Sequence, residues 1–232
     1  MRDGVVVDLI RHGEPVGGKR YRGCGVDDPL SEKGWRQMWQ AVGEQHPWRR
    51  IVTSPLRRCA EFAHALGARW GIAVEQDARL CEMAFGEWEG RTAEDICHGD
   101  PLRIERYRLD PVRHRPAGAE PLQDFARRVE DALDALVEKN AGGHVLIVAH
   151  AGVIRMLLAL SLGMPVERLY RIQVGNAALS RLRFTRVEEN WLKVLEFHDG
   201  RLPPARQSVS ATPAARLRRR AAMKSRSARR LR

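Results

Sequence analysis

Apolar residues along the chain fall into short runs separated by longer amphipathic stretches. Residues 5–10, 51–53 and 145–149 are short, rich in Val and Ile, and are read as buried strands. Residues 72–76 are predicted to add another strand. The alternating stretches 171–187 and 191–198 are predicted to add two more, with a turn near Glu189-Asn190. Between the runs the period changes to that of a helix. Asp28-Pro29-Leu30-Ser31 gives a turn with Ser31 as N-cap for a helix over 32–44. Ser54-Pro55 reads as an N-cap followed by proline at the first helical position, opening a helix to about residue 66. Phe125, Val129, Leu133, Leu136 and Val137 recur at helical spacing within 121–139, and Gly142-Gly143 is expected to end that helix. A last helix is placed at 153–162. Residues 82–120 hold Gly86, Gly90, Gly99, Pro101, Pro111, Pro116 and Gly118, and are expected to form short helices and loops as a lid or insertion. Strand and helix alternate without internal repeats. That predicts an α/β fold: a three-layer α/β/α sandwich with a mostly parallel central sheet and helices on both faces.

Beyond residue 200 the pattern stops. Pro203, Pro204 and Pro213 are followed by Ala, Ser and Arg, so a folded domain is expected over 1–200 and a basic, low-complexity, disordered tail over 201–232. The charge sharpens this division. Of 40 basic residues, eleven lie from Arg201 onward with no acidic residue among them, leaving 29 basic residues to balance all 29 acidic ones. The formal net charge of +11 therefore belongs to the tail. Such a tail reads first as a solvated, disordered extension; the alternative is contact with nucleic acid or an anionic surface by counterion release, although the tail lacks the aromatics that stack on bases.

Composition excludes several classes. With 44% apolar and 30% charged residues in 232, the chain is not disordered throughout. No run of 18 apolar residues exists, so no transmembrane segment is expected. The apolar run near the N-terminus is too short for a secretory signal. Cys24, Cys59, Cys81 and Cys97 lack the paired spacing of a zinc site or a disulfide framework, and a cytoplasmic location is the default.

Three of the predicted strands end alike. Residues 5–10 run into Arg11-His12-Gly13, 51–53 into Ser54-Pro55-Leu56-Arg57-Arg58, and 145–149 into His150-Ala151-Gly152. A parallel sheet brings such ends together at the carboxyl edge, where ligands bind in open α/β sheets. Glu82, in the following loop region, is a candidate to join them. Two histidines, at least two arginines and one carboxyl group suit phosphoryl transfer without a metal or other cofactor. A guanidinium presents a planar fork to phosphate oxygens, a neutral imidazole can attack phosphorus, and a carboxylic acid can protonate the leaving oxygen. The substrate this implies is a small phosphate monoester.

These motifs resemble those of the histidine phosphatase superfamily, the phosphoglycerate mutase-like fold. The order Leu9-Ile10-Arg11-His12-Gly13-Glu14, Ser54-Pro55-Leu56-Arg57-Arg58, the Glu82 loop and His150-x-Gly152 is similar to that family over roughly residues 5–185. The resemblance implies that His12 is the nucleophile, that Arg11 and Arg57 bind the phosphoryl group, that His150 donates to a phosphate oxygen, and that Glu82 is the proton donor. Where the family has Thr and Asn after the first motif, this chain has Pro15 and Gly18, so Lys19, Arg20 or Arg22 would have to supply that phosphate contact. The family's R-x-Q-G stands here as Arg20-Tyr21-Arg22-Gly23, which places Arg22 and Gly23 among the substrate-binding residues and favours a more anionic or stacking substrate.

Residues 82–90 (Glu-Met-Ala-Phe-Gly-Glu-Trp-Glu-Gly) resemble the same segment of alpha-ribazole phosphatases, as does the stretch 148–182 with Gly163-Met164-Pro165 and Asn176-Ala177. That implies dephosphorylation of alpha-ribazole 5'-phosphate in cobalamin biosynthesis. The mutases' long insertion between the glutamate loop and the second histidine is missing, which favours a phosphatase. The rival expectations are a phosphoglycerate mutase, a sugar-phosphate phosphatase, and a non-catalytic phosphate-binding domain tethered by the basic tail.

Overall fold

In the computed structural model, residues 4–200 and Leu202 are described. Six strands form one sheet: β1 (Gly4–Arg11), β2 (Arg50–Thr53), β3 (Ala73–Gln76), β4 (His144–Ala149), β5 (Leu179–Val187) and β6 (Asn190–Gly200). Their order is β3-β2-β4-β1-β5-β6. β1 with β4, β2 with β4 and β2 with β3 pair in parallel, while β5 pairs antiparallel with β1 and with β6. The predicted α/β/α sandwich with a mostly parallel sheet is the observed architecture. The 201–232 tail lies outside the described residues apart from Leu202. No helix among the described residues is long and apolar enough to cross a membrane.

The central strands are apolar on both faces because each face is covered by helices. Val5, Val7 and Leu9 of β1, with Val145, Ile147 and Ala149 of β4, enter one core beneath α5 (Leu122–Lys139) and α6 (Ala151–Ser161). The alternate residues Ile10, Leu146 and Val148 enter the other, beneath α1 (Glu32–Val42) and α2 (Arg57–Trp70). This is the two-residue period of a strand divided between two layers. Phe125, Val129, Leu133, Leu136 and Val137 all lie on the buried face of α5. Burial of each such side chain contributes about 1.5–3 kcal/mol. The insertion forms a 3-10 turn at Gly86–Trp88, α3 (Ala93–Cys97) and α4 (Arg103–Leu109), and a further 3-10 turn at Ala78–Leu80 precedes it. It is anchored in the α5 layer by Phe85, Trp88, Ile96, Ile104 and Tyr107.

One charged group interrupts the core. Asp8 is fully buried on β1, where its carboxylate accepts from Trp48 Nε1 (2.8 Å) and from Arg181 Nε and Nη2 (2.7 and 2.9 Å). His144 Nε2 lies 2.9 Å from the same carboxylate. Burial alone would raise the Asp8 pKa, but the bonds and charges of His144 and Arg181 hold it below the ordinary value.

Three sequence expectations need correction. The second helix begins at Arg57 with Leu56 as its cap and runs to Trp70; the Ser54 hydroxyl accepts from Leu56 N (3.3 Å) and meets His150 Nε2 (2.8 Å) instead of capping the helix. α5 ends at Lys139 as the 121–139 span predicts, but its C-cap is Asn140 in place of the two glycines. Residues 172–178 are not strand: a 3-10 turn at Val166–Arg171 precedes an irregular segment, and β5 starts only at Leu179. Two carbonyls of that segment, Ile172 O and Val174 O, accept from the side chains of Arg155 and Arg11 instead of from a neighbouring strand.

Candidate active site

The register sets Arg11 beside Ala149 and Thr53 beside Val148, so the carboxyl ends of β1, β4 and β2 lie side by side. The chain reverses direction across the sheet here, since β1 and β2 flank β4. Such a switch point opens a crevice beyond the strand ends. His12 follows β1 immediately, and its backbone N–H still donates to Ala149 O (3.0 Å). A Cβ on residue 13 would come 2.3 Å from Gly34 O of α1, so only glycine permits this crossing.

The two histidines meet in the crevice. His12 and His150 are both buried, with ring centroids 5.2 Å apart and edge to face. His12 Nδ1 lies 2.8 Å from Gly13 O. A carbonyl only accepts, so Nδ1 carries the proton and the Nε2 lone pair is free. His150 is the N-cap residue of α6, and its Nε2 lies 2.8 Å from Ser54 Oγ. Cys59 Sγ lies 3.7 Å from the same nitrogen and donates to Ala149 O (3.4 Å). Burial, and then the positive charge of neighbouring arginines, pushes both histidines well below their ordinary pKa, so both rings are neutral at pH 7.

Arg11 and Arg58 supply the positive charge. Arg11 donates through Nη1 to Val174 O (2.8 Å), and its buried Nε has no protein partner. Burial lowers its pKa to about 10 against the pull of Glu82, with neighbouring Arg155 lowering it further, so it remains charged at neutral pH. Arg58 donates to Val26 O and Gly23 O (both 2.8 Å), and its Nε is likewise buried and unpartnered. Two guanidinium groups whose Nε donors are buried and unpartnered are suited chemically to holding an anion, because leaving such donors unpaired is costly.

The expectation for Arg57 is corrected by this geometry. Its side chain is 55% exposed and paired with Glu61 at 2.7 Å, whereas Arg58 is 1% exposed and its charge acts on both histidines. Successive helix residues differ by about 100° in direction, so only one of the pair can point inward. Arg22 is also buried, but its donors go to Asp28 (2.8 Å) and to the carbonyls of Val16 (2.6 Å) and Gly18 (3.0 Å). It braces its own loop instead of offering a free fork. Gly23 enters through its carbonyl, as the acceptor for Arg58. Lys19 and Arg20 are exposed, and Arg20 folds back on Gly17 O.

Glu82 completes the crevice. Oε1 accepts from Met83 N and Oε2 from Gly152 N, both at 3.1 Å. The Gly152 donor belongs to the first turn of α6, which fixes the position of the carboxyl group. Arg128 of α5 holds the loop from behind, donating to the carbonyls of Arg79, Cys81 and Glu82 and forming a two-pronged pair with Glu120. The sequence reading missed Arg58, Arg128 and the turn of Ser54 toward His150. Only Arg58 had a signal in the sequence, as the neighbour of an arginine at a helix start.

Comparison with known proteins agrees with this geometry. A family model for the histidine phosphatase superfamily (branch 1) matches residues 7–196. A probable phosphoglycerate mutase GpmB of Klebsiella pneumoniae is 31% identical over 194 residues, covering 80% of this chain and 87% of the relative. The structure of mycobacterial glucosyl-3-phosphoglycerate phosphatase superimposes with a TM-score of 0.75 at 30% identity, covering 85% of this chain and 99% of that one. The alpha-ribazole phosphatase of Shigella flexneri gives 0.69 at 26% identity, covering 84% and 96%.

Proposed function

The chain belongs to the histidine phosphatase superfamily, and from that membership and the crevice geometry we propose that it hydrolyses phosphate monoesters through a phosphohistidine on His12. The observation that carries this reading is the pair of neutral, buried histidines beside two guanidinium groups whose Nε donors are unpartnered. In the first step His12 Nε2 attacks phosphorus and the bond to the ester oxygen breaks. Glu82, as the carboxylic acid, gives its proton to that oxygen and the alcohol leaves. In the second step water attacks phosphorus, the P–N bond breaks, and the Glu82 carboxylate takes the proton from water. Arg11 and Arg58 bind the phosphoryl oxygens throughout. They lower the barrier because the donors are already aimed where transition-state charge resides. Ser54 fixes the orientation of the His150 ring beside the same oxygens. No step calls on a metal ion, so turnover is expected to survive EDTA.

The substrate is a finer matter. The 82–90 segment favours alpha-ribazole 5'-phosphate, and the names of other relatives point to phosphate esters of glycerate or of its glucosyl derivative. The test is phosphate release from alpha-ribazole 5'-phosphate, 3-phosphoglycerate and 4-nitrophenyl phosphate, with wild type and His12→Ala. Release from any of them that vanishes in the variant supports the hydrolase. Formation of 2-phosphoglycerate without phosphate release would replace it with a mutase.

A further inference from the structure

Arg155 is the arginine the mechanism leaves unused. It lies on α6 one turn beyond Gly152, and residues three apart share a helix face. It therefore follows the face against which the Glu82 carboxyl group rests. Its Nε donates to Ile172 O at 2.8 Å, while Arg11 Nη1 donates to Val174 O at 2.8 Å. Ile172 is extended (φ −94°, ψ 117°), and two residues of extended chain span at most about 7 Å. One short segment thus ties both guanidinium groups to carbonyls no more than about 7 Å apart along the chain. The effect of Arg155 on the charge of Arg11 agrees with their closeness.

The surroundings place Arg155 on the leaving-group side. Its guanidinium lies 5.4 Å from the Tyr170 ring. The Tyr170 hydroxyl donates to that of Tyr107 (2.8 Å), whose own contact is Met83 Sδ at 3.9 Å, next to Glu82 in the chain. Burial raises both phenols above their ordinary range, and the nearby Glu82 charge adds to this. Arg58, Ser54 and His150 meet in the crevice by other routes, through the 22–27 loop and the end of β2. Arg155 spends only Nε on the protein: among the described residues its Nη groups have no hydrogen-bonded acceptor and it forms no ion pair. A charged fork fixed at one corner by a carbonyl and braced by a ring is already oriented for a ligand.

We propose that Arg155 determines specificity by binding a second anionic group, a carboxylate or a phosphate, carried on the leaving alcohol a few bonds from the ester oxygen. This rests on the hydrolase reading above. It favours an ester of an acidic alcohol over alpha-ribazole 5'-phosphate, whose leaving group has no second anion.

The test uses two matched pairs. 3-Phosphoglycerate and glycerol 3-phosphate differ only in carboxylate against hydroxymethyl. 1,3-Propanediol bisphosphate and 3-hydroxypropyl phosphate differ only in the second phosphate. Wild type is expected to prefer the more anionic member of one pair by about tenfold or more in kcat/KM, and which pair identifies the anion. Arg155→Gln should lower that preference by about tenfold, chiefly through KM, and Arg155→Lys should retain part of it. Equal rates within both pairs in wild type would overturn the proposal. So would an equal fall of both members in Arg155→Gln, which would mark Arg155 as a brace for the 172–174 segment. If 4-nitrophenyl phosphate is hydrolysed in a His12-dependent way while both pairs are level, only this inference falls. If no ester is hydrolysed, the hydrolase reading falls with it.

Discussion

The Glu82 carboxyl group packs against the Cα of Gly152, and a Cβ built at residue 152 would lie 2.2 Å from Oε1. The same glycine donates its N–H to Oε2 at 3.1 Å. Residue 152 thus both binds and gauges the position of the proposed acid. Gly152→Ala should displace the carboxyl group and lower kcat by about 10–100-fold. Circular dichroism should show the fold intact. Steady-state kinetics on an alkyl phosphate checks this, and an unchanged kcat would separate Glu82 from the chemistry.

Arg57 and Arg58 give a paired control. Arg58→Ala removes a buried donor group from the anion site and should cost about 10²–10³ in kcat/KM. Arg57→Ala removes only an exposed, solvent-screened ion pair with Glu61 and should change turnover less than about twofold. Equal losses in the two variants would contradict the inward placement of Arg58.

The depressed histidine pKa values carry a sign. Burial and neighbouring arginines hold His12 and His150 well below their ordinary range in the folded state. The unfolded chain therefore binds more protons at pH values between the folded-state pKa and about 6.5, so stability must fall as pH falls through that window. Each buried histidine contributes a slope of up to about 1.4 kcal/mol per pH unit. Asp8 acts in another window. Its folded pKa lies below its unfolded value, so its stabilising effect is lost only at still lower pH. Urea unfolding at about pH 7.5 and about pH 5.5 should show the loss, and His12→Asn should reduce it. A flat profile would mean that the rings are protonated in the fold.

Asp8 predicts stability without catalysis. Removing one partner of its buried network should leave charge uncompensated, so Arg181→Met is expected to cost about 3–5 kcal/mol. Thermal unfolding checks the cost, and a shift of under 1 °C would show that the pair is dispensable.

Much of this arrangement was legible in the sequence. The strand runs at 5–10, 51–53 and 145–149 set the parallel core, and their polar ends named His12, Arg11, His150 and the arginine pair. Glu82 could be proposed because its loop sits between elements whose order was clear. The choice between Arg57 and Arg58 was not legible, because it depends on where the helix starts. Ser54 looked like a cap, yet its hydroxyl faces His150 across 96 residues of sequence, and the helix opens at Arg57. The 172–178 segment looked like strand by alternation, but two of its carbonyls are taken by Arg11 and Arg155. Long-range hydrogen bonds decided both cases, and local periodicity carries no trace of them.

The central claim is that His12 carries the phosphoryl group. The most direct measurement mixes the enzyme with a radiolabelled phosphate monoester, quenches within the first turnovers in alkaline denaturant, and maps the labelled peptide. The account predicts an alkali-stable, acid-labile label on the peptide containing His12, absent from His12→Asn. Label on any other residue, or undiminished turnover in His12→Asn, would contradict it.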